Sequence, residues 1–245
     1  MTATVPKYIE TRIRASVPTG CHVVRQSTPV VSFGDSRTAT VATLGLNPSR
    51  LEFLDGNGKL LRGERQRLQT LDSLNLSSLI DAPASAVEAV YDWCVCYFQR
   101  NPYKRWFGQF VPILSRLGVS HDSGTACHLD LVQWSTNPTW RKLPKATQER
   151  LITDDKEFLW SQLTQENLKV LLLNGSAVIN QFQRRFDIRL HSALRLKHGH
   201  APATLFHGSI DSLNIIGWTV NLQSSFGVSK EVRNELSEAV FKLAS

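Results

Sequence analysis

Residues 38–46 read TATVATLGL and run straight into Asn47, Pro48, Ser49 and Arg50. Small or apolar side chains at nearly every position predict a strand buried on both faces. Three further runs share this character: residues 127–133 (CHLDLVQ), 169–173 (KVLLL) and 213–221 (LNIIGWTVN). Between them, apolar residues recur at helical spacing over 87–100, 102–117, 147–164 and 176–186. Residues 229–243 close the series as a helix capped by Ser229. Strands alternating with helices predict an α/β fold, a three-layer sandwich with a central, mostly parallel four-stranded sheet between helices. In such sheets ligands bind outside the carboxyl ends of the strands, which makes the residues after each strand the candidates for function.

At the first strand end, Gly45 permits a sharp turn and Pro48 fixes the direction of the leaving chain, so the Asn47 amide has little freedom. The residues alone allow an ordinary turn or a positioned amide. In the second run Asp130 stands between Leu129 and Leu131. A buried carboxylate must be paired or protonated, so Asp130 is either a structural anchor or a ligand reader. The third run ends in Asn174, Gly175 and Ser176, where Gly175 and Ser176 mark a helix N-terminus able to hold an anion. The fourth is followed by residues 221–227 (NLQSSFG), short hydroxyls beside an aromatic.

The chain has 245 residues, 42% hydrophobic and 20% charged, which excludes a disordered, coiled-coil or collagen-like protein. Residues 1–245 are read as one domain, with 1–37 as an N-terminal extension packed on it. The 28 Lys and Arg exceed the 21 Asp and Glu, giving a net charge of +7 and making a polyanion the first partner to consider. Cys21, Cys94, Cys96 and Cys127 form no CxxC pair and read as buried or incidental thiols. No signal-peptide core precedes Ala15 and no later run approaches a membrane span, so the expected setting is cytoplasmic, without a membrane partner. His198 and His200 lack a third ligand at suitable spacing, and no metal is expected.

The succession of a strand, Gly45-Leu46-Asn47-Pro48-Ser49, a buried strand with a polar reader, then LLLNG and a serine-containing loop resembles the uracil-DNA glycosylase superfamily. The similarity covers roughly residues 38–244. It is nearest to the mismatch-specific, thymine-DNA glycosylase and single-strand-selective branches, whose G-x-N-P-G motif holds the catalytic Asn. Here the last position is Ser49. The resemblance implies a uracil-DNA glycosylase-like fold and a monofunctional DNA glycosylase, with no cofactor, acting as a monomer and nucleoid-associated if the source is prokaryotic. Asn47 would orient the water that attacks the sugar C1′, and Asp130 falls where the family reads the edge of the flipped base.

Family members have Asn at that reading position. An ionised carboxylate presents acceptors only, which fits the exocyclic amino group of cytosine and repels the O4 of uracil. A modified cytosine therefore joins uracil as a candidate substrate, in base-excision repair or in defence against phage DNA with modified bases. Leu46, Phe53 and Asn221 fall where the base would be held, Phe53 as the stacking aromatic or else a core residue. Ser49, Arg50, Ser224, Ser225, Phe226 and Lys230 fall where DNA would be gripped, with Phe226 or Leu222 as the wedge. The family's His and Pro are missing from the 221–227 loop, and Asn221 is the remaining neutral donor. Two rivals stand beside this reading: a non-catalytic binder of modified or single-stranded DNA, and a small-molecule enzyme of doubly wound type.

Overall fold

The computed structural model describes residues 4–196, 203–223 and 228–244. Its strands are β1 (Val41–Gly45), β2 (Ala126–Asp130), β3 (Val170–Asn174), β4 (His191–Arg195), β5 (Thr204–Ile210) and β6 (Leu213–Trp218). They form one sheet in the order β2-β1-β3-β6-β5-β4. β1 and β6 flank β3 in parallel, with Thr43 opposite Leu172 and Leu172 opposite Ile216. The pairs β6–β5 and β5–β4 are antiparallel. The helices are α1 (Lys7–Ile13), α2 (Ala84–Val95), α3 (Lys104–Phe107), α4 (Val111–Arg116), α5 (Lys145–Gln165), α6 (Ser176–Phe186) and α7 (Lys230–Ala244). None among the described residues is long and apolar enough to cross a membrane.

The α/β class follows the sequence reading, but the sheet has six strands among the described residues rather than four, and it is mixed rather than mostly parallel. The two extra strands are β4 and β5. Every residue of β4 is exposed and only Leu205 of β5 is fully buried, so neither carries the apolar run or the alternation that reveals a strand. Ile210 pairs with Leu213 across a two-residue turn, where Asp211 takes a left-handed φ of 47° that short polar side chains tolerate. The helix expected over 102–117 is broken into α3 and α4 by a short turn at Gly108–Phe110. The run 127–133 leaves the strand at Asp130 yet stays buried through Thr136.

Two compact units interleave along the chain. The first comprises Met1–Asp35, Leu46–Pro102 and Leu129–Gln165; the second comprises Ser36–Gly45, Tyr103–His128 and Glu166–Ser245. In the second, Val41, Leu172 and Ile216 pack with Ile113 of α4 and Leu236 and Val240 of α7. Burying such side chains contributes about 1.5–3 kcal/mol each. Alternation along β6 points Gly217 the other way, toward α6, where an added Cβ would lie 2.9 Å from Ile179 Cγ1. Glycine is what lets α6 approach the strand so closely.

In the first unit the buried segment after Asp130 belongs to no strand, and its backbone is satisfied by loop backbone and by side chains together: Val24 N and Val30 N donate to the carbonyls of Ser135 and Gln133 at 2.9 and 2.8 Å. Gln133 N donates to Asp155 Oδ2 at 2.7 Å, and Gln133 Nε2 donates to the Asp130 carbonyl at 2.8 Å. Arg12 of α1 closes the network, bonding Gln133 Oε1 at 3.1 Å and Asp155 Oδ1 at 2.8 Å, its guanidinium 5.1 Å from the Trp134 ring centre. Burial raises the Asp155 carboxyl above its ordinary value, while Arg12 and the Gln133 amide pull it back. This lattice fixes the backbone that carries Asp130.

Candidate functional site

The exit of β1 in the first unit is laced to the chain that follows β2. Leu46, half-buried, accepts from Val132 N at 3.0 Å. Asn47 Nδ2 donates to the Trp134 carbonyl and to Thr136 Oγ1, both at 3.1 Å. A carbonyl oxygen only accepts, so the amide NH2 must face Trp134 and the Asn47 Oδ1 must face away. Ser49 Oγ accepts from Leu51 N at 3.2 Å and caps the short turn Arg50–Glu52. Arg50 is half-buried. Phe53 is only 1% exposed and packs as a core side chain.

The residue that sequence reasoning missed is Glu52. It is 1% exposed, and its Oε2 accepts from the Tyr97 hydroxyl at 2.6 Å. Burial pushes its carboxyl up to about 7; the Tyr97 hydrogen bond and the Arg67 charge oppose that rise, and the charge of Asp130 adds to it. Asp130 is itself buried, at 6% exposure. Asn47, Glu52 and Asp130 thus belong to two segments joined by hydrogen bonds, and one of the carboxyls changes charge near neutral pH. Such a group can hold or release a proton under ordinary conditions. The available signal was a carboxylate between Leu51 and Phe53, five positions after Asn47.

A recess of about 590 Å³ in the same unit is lined by Val23, Arg25, Gln26, Leu54, Arg62 and Asn137, among others. Its size lies within the roughly 300–1,000 Å³ of ordinary ligand pockets. Leu54 follows Phe53 in the chain, and Asn137 follows Thr136, which anchors the Asn47 amide.

In the second unit the exit of β3 is organised by Asn174, for which the sequence suggested no individual role. Its Oδ1 accepts from Trp218 Nε1 and from Leu222 N, each at 3.0 Å. Its Nδ2 donates to Asn221 Oδ1 at 3.1 Å and to Gln223 Oε1 at 2.9 Å. Asn221 Oδ1 also accepts from Gln223 N at 2.9 Å, so this exposed residue turns its NH2 outward as a donor. Gly175 has φ 98°, and an added Cβ there would lie 3.4 Å from that of Asn221.

Two expectations are corrected here. Gly175 and Ser176 do not present free amides to an anion, because their N–H groups donate to the carbonyls of Trp218 and Thr219, at 2.9 and 3.1 Å. Leu222 is 1% exposed inside the core, so it is not a wedge. Lys230 is exposed at the start of α7, and Ser229 Oγ accepts from Val232 N at 3.4 Å as the cap. Ser224, Ser225 and Phe226, like His198 and His200, lie outside the described residues. Cys21, Cys94 and Cys127 are buried and Cys96 half-buried, and burial pushes the Cys94 thiol up to about 11. Compared with known proteins, the chain matches no family model and no curated protein.

Proposed function

We propose that the protein is a monofunctional DNA glycosylase that flips a modified cytosine or uracil from DNA and hydrolyses its N-glycosidic bond, leaving an abasic site. The observation that carries this reading is the orientation of Asn47: both amide hydrogens are engaged, and Oδ1 is left as an acceptor aimed away from its anchors. An acceptor held in this way can take a hydrogen bond from water and point its lone pair at C1′, gaining rate by positioning rather than by taking a full proton. DNA phosphates would stabilise the cationic sugar. Asp130 reads the base edge and Arg50 meets a phosphate.

Asp130 favours a base bearing an exocyclic amino group, which points toward modified cytosine and toward defence against phage DNA as much as repair. The protein would work as a monomer on DNA in the cytoplasm. Base release from oligonucleotides holding uracil, cytosine and 5-substituted cytosines, read by cleavage of the abasic site, tests the proposal. Release by the wild type and its loss in Asn47→Ala, with binding kept, is the expected result. DNA binding without release from any oligonucleotide would replace it with the binding-module reading. Asp130→Asn should shift preference from cytosine-type bases toward uracil, since an amide adds the donor that O4 requires.

A further inference from the structure

The ribbon formed by β4 and β5 belongs to no part of the proposed site. We propose that it is a second DNA-contacting surface, which binds the phosphate backbone through Arg189 and Arg195. Over residues 184–195 the chain carries four arginines against the single acid Asp187, a local net charge of +3 in a protein whose whole charge is +7. Arg189, His191 and Arg195 are exposed, and neither arginine has an acidic partner among the described residues. β4 ends the sheet, with all five of its residues exposed. Arg195 pairs with Thr204, and Leu205 beside it pairs with Trp218 at the carboxyl end of β6. Arg195 therefore lies at the end of the sheet where Asn174 and Asn221 are found. Arg189 lies six residues back, before the start of β4, and so at most about 20 Å away along an extended chain. At about 3.4 Å spacing along each DNA strand, the ribbon would run beside up to about six nucleotides.

The competing explanation is that charges on an edge strand merely block pairing with another sheet. The two explanations differ in sign. A guard works with acids as well as bases, whereas binding to phosphate requires positive charge. The inference rests on DNA as the partner but not on base release.

Fluorescence anisotropy of a 20-base-pair duplex at 50 and 200 mM salt decides between them, comparing wild type, R189E/R195E, R189K/R195K and K142E/K242E. The last carries the same change in net charge at exposed residues elsewhere. Charge reversal on the ribbon is expected to weaken binding about tenfold or more at 50 mM and to lower the slope of log affinity against log salt by about 1.8, or about 0.9 for each phosphate that is no longer neutralised. The lysine variant should keep that slope. Unchanged affinity in R189E/R195E, or an equal weakening in K142E/K242E, would overturn the role of the ribbon. Base release by the wild type at saturating DNA reports on the chemistry at Asn47 and not on the ribbon, so the two readings fail on different measurements; a wild type that binds no DNA overturns both.

Discussion

Asn47 and Asn174 stand at the ends of neighbouring parallel strands, each held by its amide, yet they are built for different tasks. Asn174 uses all four of its hydrogen-bonding capacities inside the protein: two donated bonds to Asn221 and Gln223, two accepted from Trp218 and Leu222. Asn47 donates twice, to Trp134 and Thr136, and its oxygen has no partner among the described residues. A fully satisfied amide is a structural joint, whereas a half-satisfied one has capacity left for a ligand. The exits differ in charge as well. The amides at Asn174 do not titrate, while the exit after Asn47 contains Glu52 with its carboxyl at about 7.

Replacing each residue in turn would break or sharpen this contrast. Asn47→Ala is expected to lower base release by about 10²- to 10³-fold, the usual worth of a single fixed hydrogen-bonding group at a reacting centre. The stability loss should be near 1 kcal/mol, because the donated bonds are ordinary neutral ones. A single-turnover assay beside urea unfolding gives both numbers, and equal damage to rate and stability would make Asn47 a joint like Asn174.

Folded, Glu52 keeps its proton up to about pH 7; unfolded, only to its ordinary value of 4.5. The stability this group contributes is present in full below pH 4.5 and is lost as pH rises to about 7, a change of about 3 kcal/mol. Glu52→Gln should flatten the corresponding part of a stability profile measured by urea unfolding between pH 4.5 and 8. A profile unchanged by the substitution would remove the titrating carboxyl from the contrast.

Asn174→Ala should produce the smallest of these effects and the opposite signature. The Trp218 indole N–H and the Leu222 amide lose their acceptor, at a cost of about 2 kcal/mol in total. Release per folded molecule should fall far less than in Asn47→Ala, as thermal unfolding combined with active-site-normalised rates would reveal.

Legibility in the sequence followed burial. β1, β3 and β6 pack on both faces and announce themselves as apolar runs, and α6 occupies the span its periodicity predicts. β4 and β5 are stabilised by ladder hydrogen bonds more than by burial, so His191–Arg195 carries no pattern to read. The overrun of the second strand past Asp130 has another cause. Residues 131–136 are as buried as a strand, but their backbone partners are Val24, Val30, Leu46, Asn47 and Asp155, which no local window contains. Asn47 was legible because its turn is written in adjacent residues. Glu52 was not, since its hydrogen-bond partner Tyr97 lies 45 positions downstream.

The buried pair of Arg12 and Asp155 sets a schedule as well as a geometry. The two residues are separated by 143 positions, and the first unit is assembled from three separate stretches of chain that end at Gln165. At 5–20 residues per second, the ribosome takes about 7–30 s to deliver the carboxylate after the guanidinium. Throughout that interval α1 must stay hydrated and uncommitted, and the segment after Asp130 emerges before Asp155, which holds its backbone. The second unit also draws on Glu166–Ser245, so all of the first unit's chain is made before the second's is complete. Helix α1, seven residues long, cannot hold itself as a helix meanwhile; it packs on α2 and α5, and the apolar face of Ile9 and Ile13 is fully covered only once α5 has been made.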